Sequence, residues 1–271
     1  MEDKESITIR KTVINQAINY IFEHIDEDIT VEDVAKYCSY SKYHLTRMFK
    51  EDTDEALYQF IKRVRLERSA WRLKVEKERS ITEIGETYGY SSSNFATAFK
   101  KHLDISPADY RRSSEQMVED SSFSHGMTLD DLDDAGSKIT VEYLAPFTVL
   151  YERKKGNYHN LSDEWRDFIE KYKYFATKDT LYIDCTIDDP SITDEDGCMY
   201  ELCQTVIPDH PVLKDHPEIL LHDFEGGKYA VYHFKGVQQL LLWYIRRFFA
   251  DGCLRQEMSW MSDRLLIFIG R

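Results

Sequence analysis

Residues 30–54, TVEDVAKYCSYSKYHLTRMFKEDTD, and residues 80–104, SITEIGETYGYSSSNFATAFKKHLD, are two copies of one pattern set fifty positions apart without a gap. Thr30, Val31, Asp33, Val34, Ala35, Tyr40, Ser41, Leu45, Phe49, Lys50 and Asp54 are answered by Ser80, Ile81, Glu83, Ile84, Gly85, Tyr90, Ser91, Phe95, Phe99, Lys100 and Asp104. Each copy reads as two short helices around a tight turn, so the N-terminal third is expected to be an all-α duplicated helix-turn-helix. Such a pair can present two helices to two stretches of DNA major groove.

Working outward, the helix ends carry their own signals. Thr30 with Asp33 and Ser80 with Glu83 place a hydroxyl and a carboxylate three residues apart, the reciprocal cap that starts a helix near 31 and near 81. Ser106-Pro107-Ala108-Asp109 does the same for a last short helix, with proline where its missing N–H costs nothing. Val13, Ala17, Ile18, Ile21, Phe22 and Ile25 recur at three and four residue steps, as an opening amphipathic helix requires. Between the copies, Leu57 to Val75 reads as one long helix with two apolar stripes, Leu57, Phe60, Ile61, Val64, Trp71 and Val75 on one and Leu66, Ala70 and Leu73 on the other. Nineteen residues at about 1.5 Å each give a strut of roughly 28 Å, close to the ~34 Å of one DNA turn.

Charge is distributed unevenly. The 271-residue chain has a net charge of −14, yet residues 1–112 hold 19 Lys and Arg against 20 Asp and Glu, whereas residues 113–136 hold none against 7. That acidic, serine-rich stretch cannot bury enough surface to order itself alone and is expected to be an interdomain linker. The span Lys62 to Arg79 is locally basic, with eight Lys or Arg against three Glu. No run approaches the roughly 20 apolar residues needed to cross a bilayer, and the polar opening MEDKESITIRK does not read as a signal peptide. A cytoplasmic protein is expected. The five cysteines, Cys38, Cys185, Cys198, Cys203 and Cys253, form no C-x-x-C pair and no cluster with zinc spacing, so reduced, buried thiols and no metal or other cofactor are expected.

At SYSKYHLTRMFKEDTDEALYQFIKRVRLERS and YGYSSSNFATAFKKHLDISPADYRR the first 112 residues resemble the DNA-binding domain of the AraC/XylS family of bacterial transcription regulators. Asp54 and Asp104 stand where that family usually has glycine after the recognition helix, and Gly85 stands where it usually has alanine. The resemblance implies that the helices near 41–51 and 91–102 read DNA. Lys42, Tyr43, Thr46 and Arg47 lie opposite the apolar Leu45, Met48 and Phe49, and an arginine such as Arg47 can hold guanine O6 and N7 for about 1–3 kcal/mol of discrimination. The fifty-residue shift gives Ser92, Ser93, Ala96 and Thr97, short side chains without a bidentate donor, so the second helix should select bases weakly. Lys100, Lys101, Arg111 and Arg112 are expected to anchor phosphates.

Residues 137–271 have a different texture. Strand-like alternation at Thr140–Tyr143, Phe147–Tyr151, Leu181–Cys185, Cys203–Ile207, Tyr229–Phe234 and Leu265–Ile269 is separated by helix-like segments Leu161–Phe175 and Val237–Phe249, an α+β pattern. Val149-Leu150-Tyr151, Gly156 and Trp165 are echoed by Ala230-Val231-Tyr232, Gly236 and Trp243. Through Gly156, Tyr158, Trp165, Asp188-Asp189-Pro190, Cys198–Glu201 and Gly227-Lys228-Tyr229-Ala230-Val231, this half resembles the GyrI-like domains, built from two strand-helix repeats that hold small, often cationic and hydrophobic molecules.

The resemblance implies a ligand wall drawn from Tyr151, Tyr158, Trp165, Tyr229, Trp243 and Trp260, on which a flat or cationic molecule would stack. The family's usual ligand-pairing carboxylate in the final strand falls on Leu266, leaving Glu201 or Asp263 to supply charge, or a neutral ligand. The same substitution, with no G-x-S-x-G, phosphate loop or H-E-x-x-H present, argues against an enzyme. The expected partners are double-stranded DNA, a small hydrophobic or aromatic effector that stacks on those rings, and RNA polymerase. A protein-contact or dimerisation module without ligand stays open as the alternative for the second half.

Overall fold

A computed structural model describes residues 4–120, 139–156, 161–188, 192–193, 195–207, 213, 215–216, 218–232 and 265–269. Two compact units divide the chain, one holding Tyr20–Glu142 and Lys228–Met261, the other Met1–Asn19, Tyr143–Gly227 and Ser262–Arg271. In this division Met1–Asn19 joins Tyr143–Gly227.

The helical elements are α1 (Lys4–Glu23), α2 (Val31–Tyr37), α3 (Lys42–Thr53), α4 (Leu57–Val75), α5 (Ile81–Thr87), α6 (Ser92–Leu103) and α7 (Pro107–Asp120). Both capping boxes form as read from the residues: Asp33 N donates to Thr30 Oγ1 at 3.3 Å while Thr30 N donates to Asp33 Oδ2 at 2.8 Å, and Ser80 with Glu83 does the same at 3.2 and 2.7 Å. The turns close alike too, with Tyr40 N donating to Ala35 O at 2.9 Å and Tyr90 N to Gly85 O at 3.0 Å. Left-handed backbone is required at matching places, at Ser39 (φ 60°) and Gly89 (φ 76°) in the turns and at Asp54 (φ 60°) and Asp104 (φ 59°) beyond α3 and α6. Helix α7 is longer than the short helix expected, since residues 108–125 contain no glycine or proline to stop it, and its last eight residues were assigned to the linker.

The later half builds β1 (Ile139–Leu144), β2 (Phe147–Lys155), α8 (Leu161–Tyr172), a 3₁₀ turn (Lys173–Phe175), β3 (Tyr182–Thr186), β4 (Met199–Val206), β5 (Leu220–Phe224), β6 (Gly227–Tyr232) and β7 (Leu265–Ile269). Five strands pair in the order β5-β2-β4-β3-β7, antiparallel throughout, and β1 pairs with β6. Strand alternation sends Leu150, Tyr200 and Leu202 to a layer with Trp165, Phe168 and Tyr172 of α8, and sends Val149, Tyr151, Ile183, Cys185 and Cys203 to the opposite face. The helix-like segment expected at Val237–Phe249, and with it the second half of the internal echo, lies outside the described residues.

Two positions yield measurable consequences. A Cβ on Gly85 would stand 2.7 Å from Cγ of the buried Phe95, whereas the first copy pairs the larger Ala35 with the smaller Leu45 at the same register. Glycine in α5 is therefore required by the Phe95 ring, and Gly85→Ala should destabilise by about 1–3 kcal/mol despite its better helix propensity. Adding Phe95→Leu should recover most of that loss, which urea unfolding of the three variants will measure. On the α8 side of the sheet, Asp184 is 3% exposed, its Oδ1 accepts no hydrogen bond, and burial together with the nearby Glu164 carboxylate pushes its pKa up to about 7. An acid whose folded pKa lies above its unfolded value holds an extra proton in the native state, so its contribution weakens as pH rises from about 4 to about 7 and levels off above. Asp184→Asn should flatten the fall in stability between pH 5 and pH 8, with a gain at pH 8 on the order of 1–3 kcal/mol, read from denaturation midpoints at both pH values.

Candidate functional site

Helices α3 and α6 each bury one side and expose the other. Leu45, Met48 and Phe49 anchor α3, Phe95 and Phe99 anchor α6, and Ser41 caps α3 by accepting from His44 N at 3.3 Å. On the free side of α3, Lys42, Tyr43 and Arg47 are exposed, Tyr43 by 78%. Lys42 Nζ meets Glu32 Oε1 at 2.5 Å and Arg47 Nε lies 3.8 Å from Glu51 Oε1, both in exposed pairs that solvent screens and an incoming polyanion can replace. Thr46 is half-buried, with its hydroxyl shut off from solvent and without a hydrogen-bond partner.

The second helix differs in kind. Ser92, Ser93, Thr97, Lys100 and Lys101 are all exposed, but the Thr97 hydroxyl donates to Ser93 O at 3.1 Å within its own helix. Arg112 is exposed and pairs with Asp109 at 3.3 Å, while Arg111 is half-buried, with Nε and Nη2 closed off from solvent. The basic run Lys62 to Arg79 is largely engaged inside the helical unit. Arg63 bridges Glu55 and Glu67 at 3.2 and 2.9 Å, Arg65 Nη2 donates to Glu27 O and Ile29 O at 3.0 and 3.1 Å, and Arg72 Nε donates to Tyr88 Oη at 2.8 Å. Its positive charge therefore builds structure more than it offers a polyanion a surface.

In the sheet unit, Arg153 on β2, Glu201 on β4 and Cys185 on β3 stand in register on the face away from α8, and Leu266 on β7 is the backbone partner of Cys185. The position where the resemblance expects an acid thus shares its row with Glu201, two strands away. Arg153 Nε donates to Glu201 Oε1 at 3.1 Å and Nη2 reaches the same oxygen, with the two side chains only 6% and 2% exposed. Glu201 Oε2 is buried without a hydrogen-bond partner. A buried pair of this kind is neutral overall, and stripping away either partner would leave an uncompensated charge. Two residues back along β2 on the same face, Tyr151 has its ring centroid 5.6 Å from the Arg153 guanidinium, and burial raises its phenol pKa.

Two asparagines complete this face. Arg153 Nη1 donates to Asn15 Oδ1 at 2.8 Å, Arg153 Nη2 to Asn19 Oδ1 at 2.5 Å, and Asn19 Nδ2 donates to Tyr151 Oη at 3.3 Å. Arg153, Asn15 and Asn19 were not among the expected site residues. Their signal was present, since two asparagines four apart in an amphipathic helix are poor helix formers placed on one side of it.

Of the expected ligand wall, Tyr151 and Glu201 come together here. Trp165 does not join them: it is 8% exposed in the layer beneath α8, edge-on to Phe168 at 5.4 Å and to Tyr182 at 6.0 Å, on the opposite face of the sheet. Tyr229 is placed on β6, while Tyr158, Trp243, Trp260 and Asp263 lie outside the described residues. Among the described residues no group of three or more His, Cys, Asp or Glu could hold a metal ion, and no helix is long and apolar enough to cross a membrane. Cys38, Cys185, Cys198 and Cys203 are buried free thiols, and burial pushes the Cys203 thiol well up.

Comparison with known proteins bears on both units. A helix-turn-helix domain model matches residues 34–113 and a GyrI-like small molecule binding domain model matches residues 137–257. Regulatory protein SoxS of Escherichia coli K12 is 38% identical over 100 residues, which is 36% of this chain and 92% of SoxS. Transcriptional regulator Rob of Salmonella typhimurium is 38% identical over 104 residues, 38% of this chain, and the match spans only 36% of Rob. Among solved structures, the C-terminal domain of AraT, a response regulator from Geobacillus stearothermophilus, is 35% identical with a TM-score of 0.36, covering 37% of this chain and 84% of that one.

Proposed function

Because the chain belongs to the AraC family of DNA-binding transcription regulators and carries a GyrI-like small-molecule-binding domain, we propose that it recognises a specific operator and answers to a small hydrophobic or aromatic effector. The observation that carries this reading is the exposed face of α3, where Lys42, Tyr43 and Arg47 reach solvent on the side opposite the buried Leu45, Met48 and Phe49, Lys42 and Arg47 held only in exposed ion pairs. An arginine so placed can grip guanine through two parallel bonds, while Lys42, Lys100, Lys101 and Arg112 neutralise phosphates and hold the register. Helix α6, with Ser92, Ser93 and a Thr97 hydroxyl already bonded to its own backbone, contributes position more than selection. Arg111, set partly into the helical unit, is a weaker phosphate anchor than Arg112. The 19-residue α4, about 28 Å long, suits two helices that enter successive major grooves on one side of the duplex.

The effector is proposed to be neutral rather than cationic. Leu266 replaces the expected acid, and the charge of Glu201 is already balanced by Arg153, so no net negative charge awaits a cation in that row. An effector changes transcription only by binding two states of the regulator unequally, and contact with RNA polymerase is the step on which such a shift would act. The relatives are transcription regulators, and no catalytic role is proposed for any residue.

Titrating the full chain with neutral aromatics and with hydrophobic cations, while following Trp fluorescence, tests the ligand class. Saturable quenching by the neutral set is expected, quenching by cations alone would reverse the charge argument, and silence from both would favour a protein-contact domain. For DNA, Arg47→Ala should cut the ratio of operator to nonspecific affinity by roughly 5-fold to 150-fold, the worth of one bidentate base contact. Thr97→Ala should change it by less than about twofold, given its missing reach. Equal losses in a competition binding assay would contradict this asymmetry.

A further inference from the structure

We infer that residues Lys4–Asn19 act as an internal cover for the Arg153–Glu201–Tyr151 face of the sheet, and that an effector must replace its asparagine contacts in order to bind there. The inference rests on the ligand-sensing reading above and adds its regulation. Both partners lie in one compact unit, which joins Met1–Asn19 to Tyr143–Gly227.

The contacts have the character of a site filled by a stand-in. The two side-chain oxygens of Asn15 and Asn19 sit on separate nitrogens of the Arg153 fork, at 2.8 and 2.5 Å, an arrangement that a ligand bearing carbonyl oxygens could copy. Asn19 turns its amide nitrogen toward the Tyr151 hydroxyl at 3.3 Å and is spent wholly on this face, while the Asn15 amide nitrogen donates to Lys11 O at 2.9 Å in its own helix. Beneath them Glu201 keeps one carboxylate oxygen buried with no hydrogen-bond partner, in a side chain only 2% exposed. That is an acceptor a polar ligand group can satisfy and that neither asparagine reaches, which gives the ligand an advantage over the cover. Beside these polar contacts the same stretch buries Val13, Ile14, Ala17 and Ile18, so only the asparagine contacts, and not the whole helix, are what a ligand has to replace.

Helix α1 is continuous from Lys4 to Glu23, and the boundary between the two compact units falls inside it, after Asn19.

The experiment uses the full chain without ligand. Cys185 and Cys203 are buried on the covered face, in register with Glu201 and Tyr151, whereas Cys38 belongs to the helical unit and the Cys198 thiol faces Thr193 O at 3.8 Å. Iodoacetamide labelling followed by peptide mass spectrometry reads each thiol separately. Asn15→Ala combined with Asn19→Ala should speed labelling of Cys185 and Cys203 about tenfold, the effect of losing hydrogen bonds to a charged group, with Cys38 and Cys198 unchanged. Gln16→Ala, at an exposed position on the same helix, should leave all four rates as they were. Should the double variant lose its fold, the single Asn15→Ala carries the same comparison with a smaller rise. Unchanged rates at Cys185 and Cys203, or an equal rise at all four thiols, would overturn the cover. Since no ligand is added, that failure is distinct from a failure of ligand sensing, which would be seen as a silent fluorescence titration.

Discussion

The helical unit depends on α4 being buried along two sides at once. Leu57, Phe60, Ile61 and Val64 pack toward the first helix-turn-helix, where Phe60 meets Phe49 at 5.2 Å and Phe22 at 6.1 Å. Leu66, Ala70 and Leu73 are equally buried, and Arg72 reaches the second copy through Tyr88. On α4 itself Glu67 pairs with Arg63 at 2.9 Å, and the pair extends to His102 of α6 at 3.3 Å through Glu67 and to Glu55, just beyond α3, at 3.2 Å through Arg63. A helix gripped on both sides cannot rotate to suit one neighbour without disturbing the other, so α3 and α6 are held to one separation. Everything proposed for DNA rests on that constraint.

Within the copies, sequence and packing compensate each other in pairs. Gly85 makes room for Phe95 where Ala35 sits with Leu45, so the departure from the family's alanine follows from a larger ring in the facing helix. The left-handed residues follow the same symmetry, yet only Gly89 is free of strain. Ser39, Asp54 and Asp104 hold that backbone at a cost of about 1 kcal/mol or somewhat more each. The unit tolerates them because the helices they end are anchored by buried side chains, Val34 and Ala35 in α2, Phe49 in α3 and Phe95 with Phe99 in α6.

Much of this was legible in the residues because the signals were local. Capping boxes, proline at the first helical position and the bounds of Leu57–Val75 depend on a few neighbouring side chains, and all were found where they were read. The sheet was harder. Strand β5, LLHDF, was missed because it lies at the sheet edge, half-exposed, with no clear alternation. Strand β4 starts four residues before Cys203, because Glu201 looks like a surface residue until Arg153 is brought to it. Trp165 and Tyr151 have the same aromatic character in sequence, and only strand pairing shows that they serve opposite faces. The bonds of Asn15 and Asn19 to Arg153 span more than 130 positions, beyond any local pattern.

The most direct measurement is hydroxyl-radical footprinting of the full chain on its operator, because it reads the spacing of the two helices on the duplex itself. The account predicts two protected windows on one face of the DNA, centred about 10 base pairs apart, the spacing of successive major grooves. A single window, or two windows on opposite faces, would contradict it.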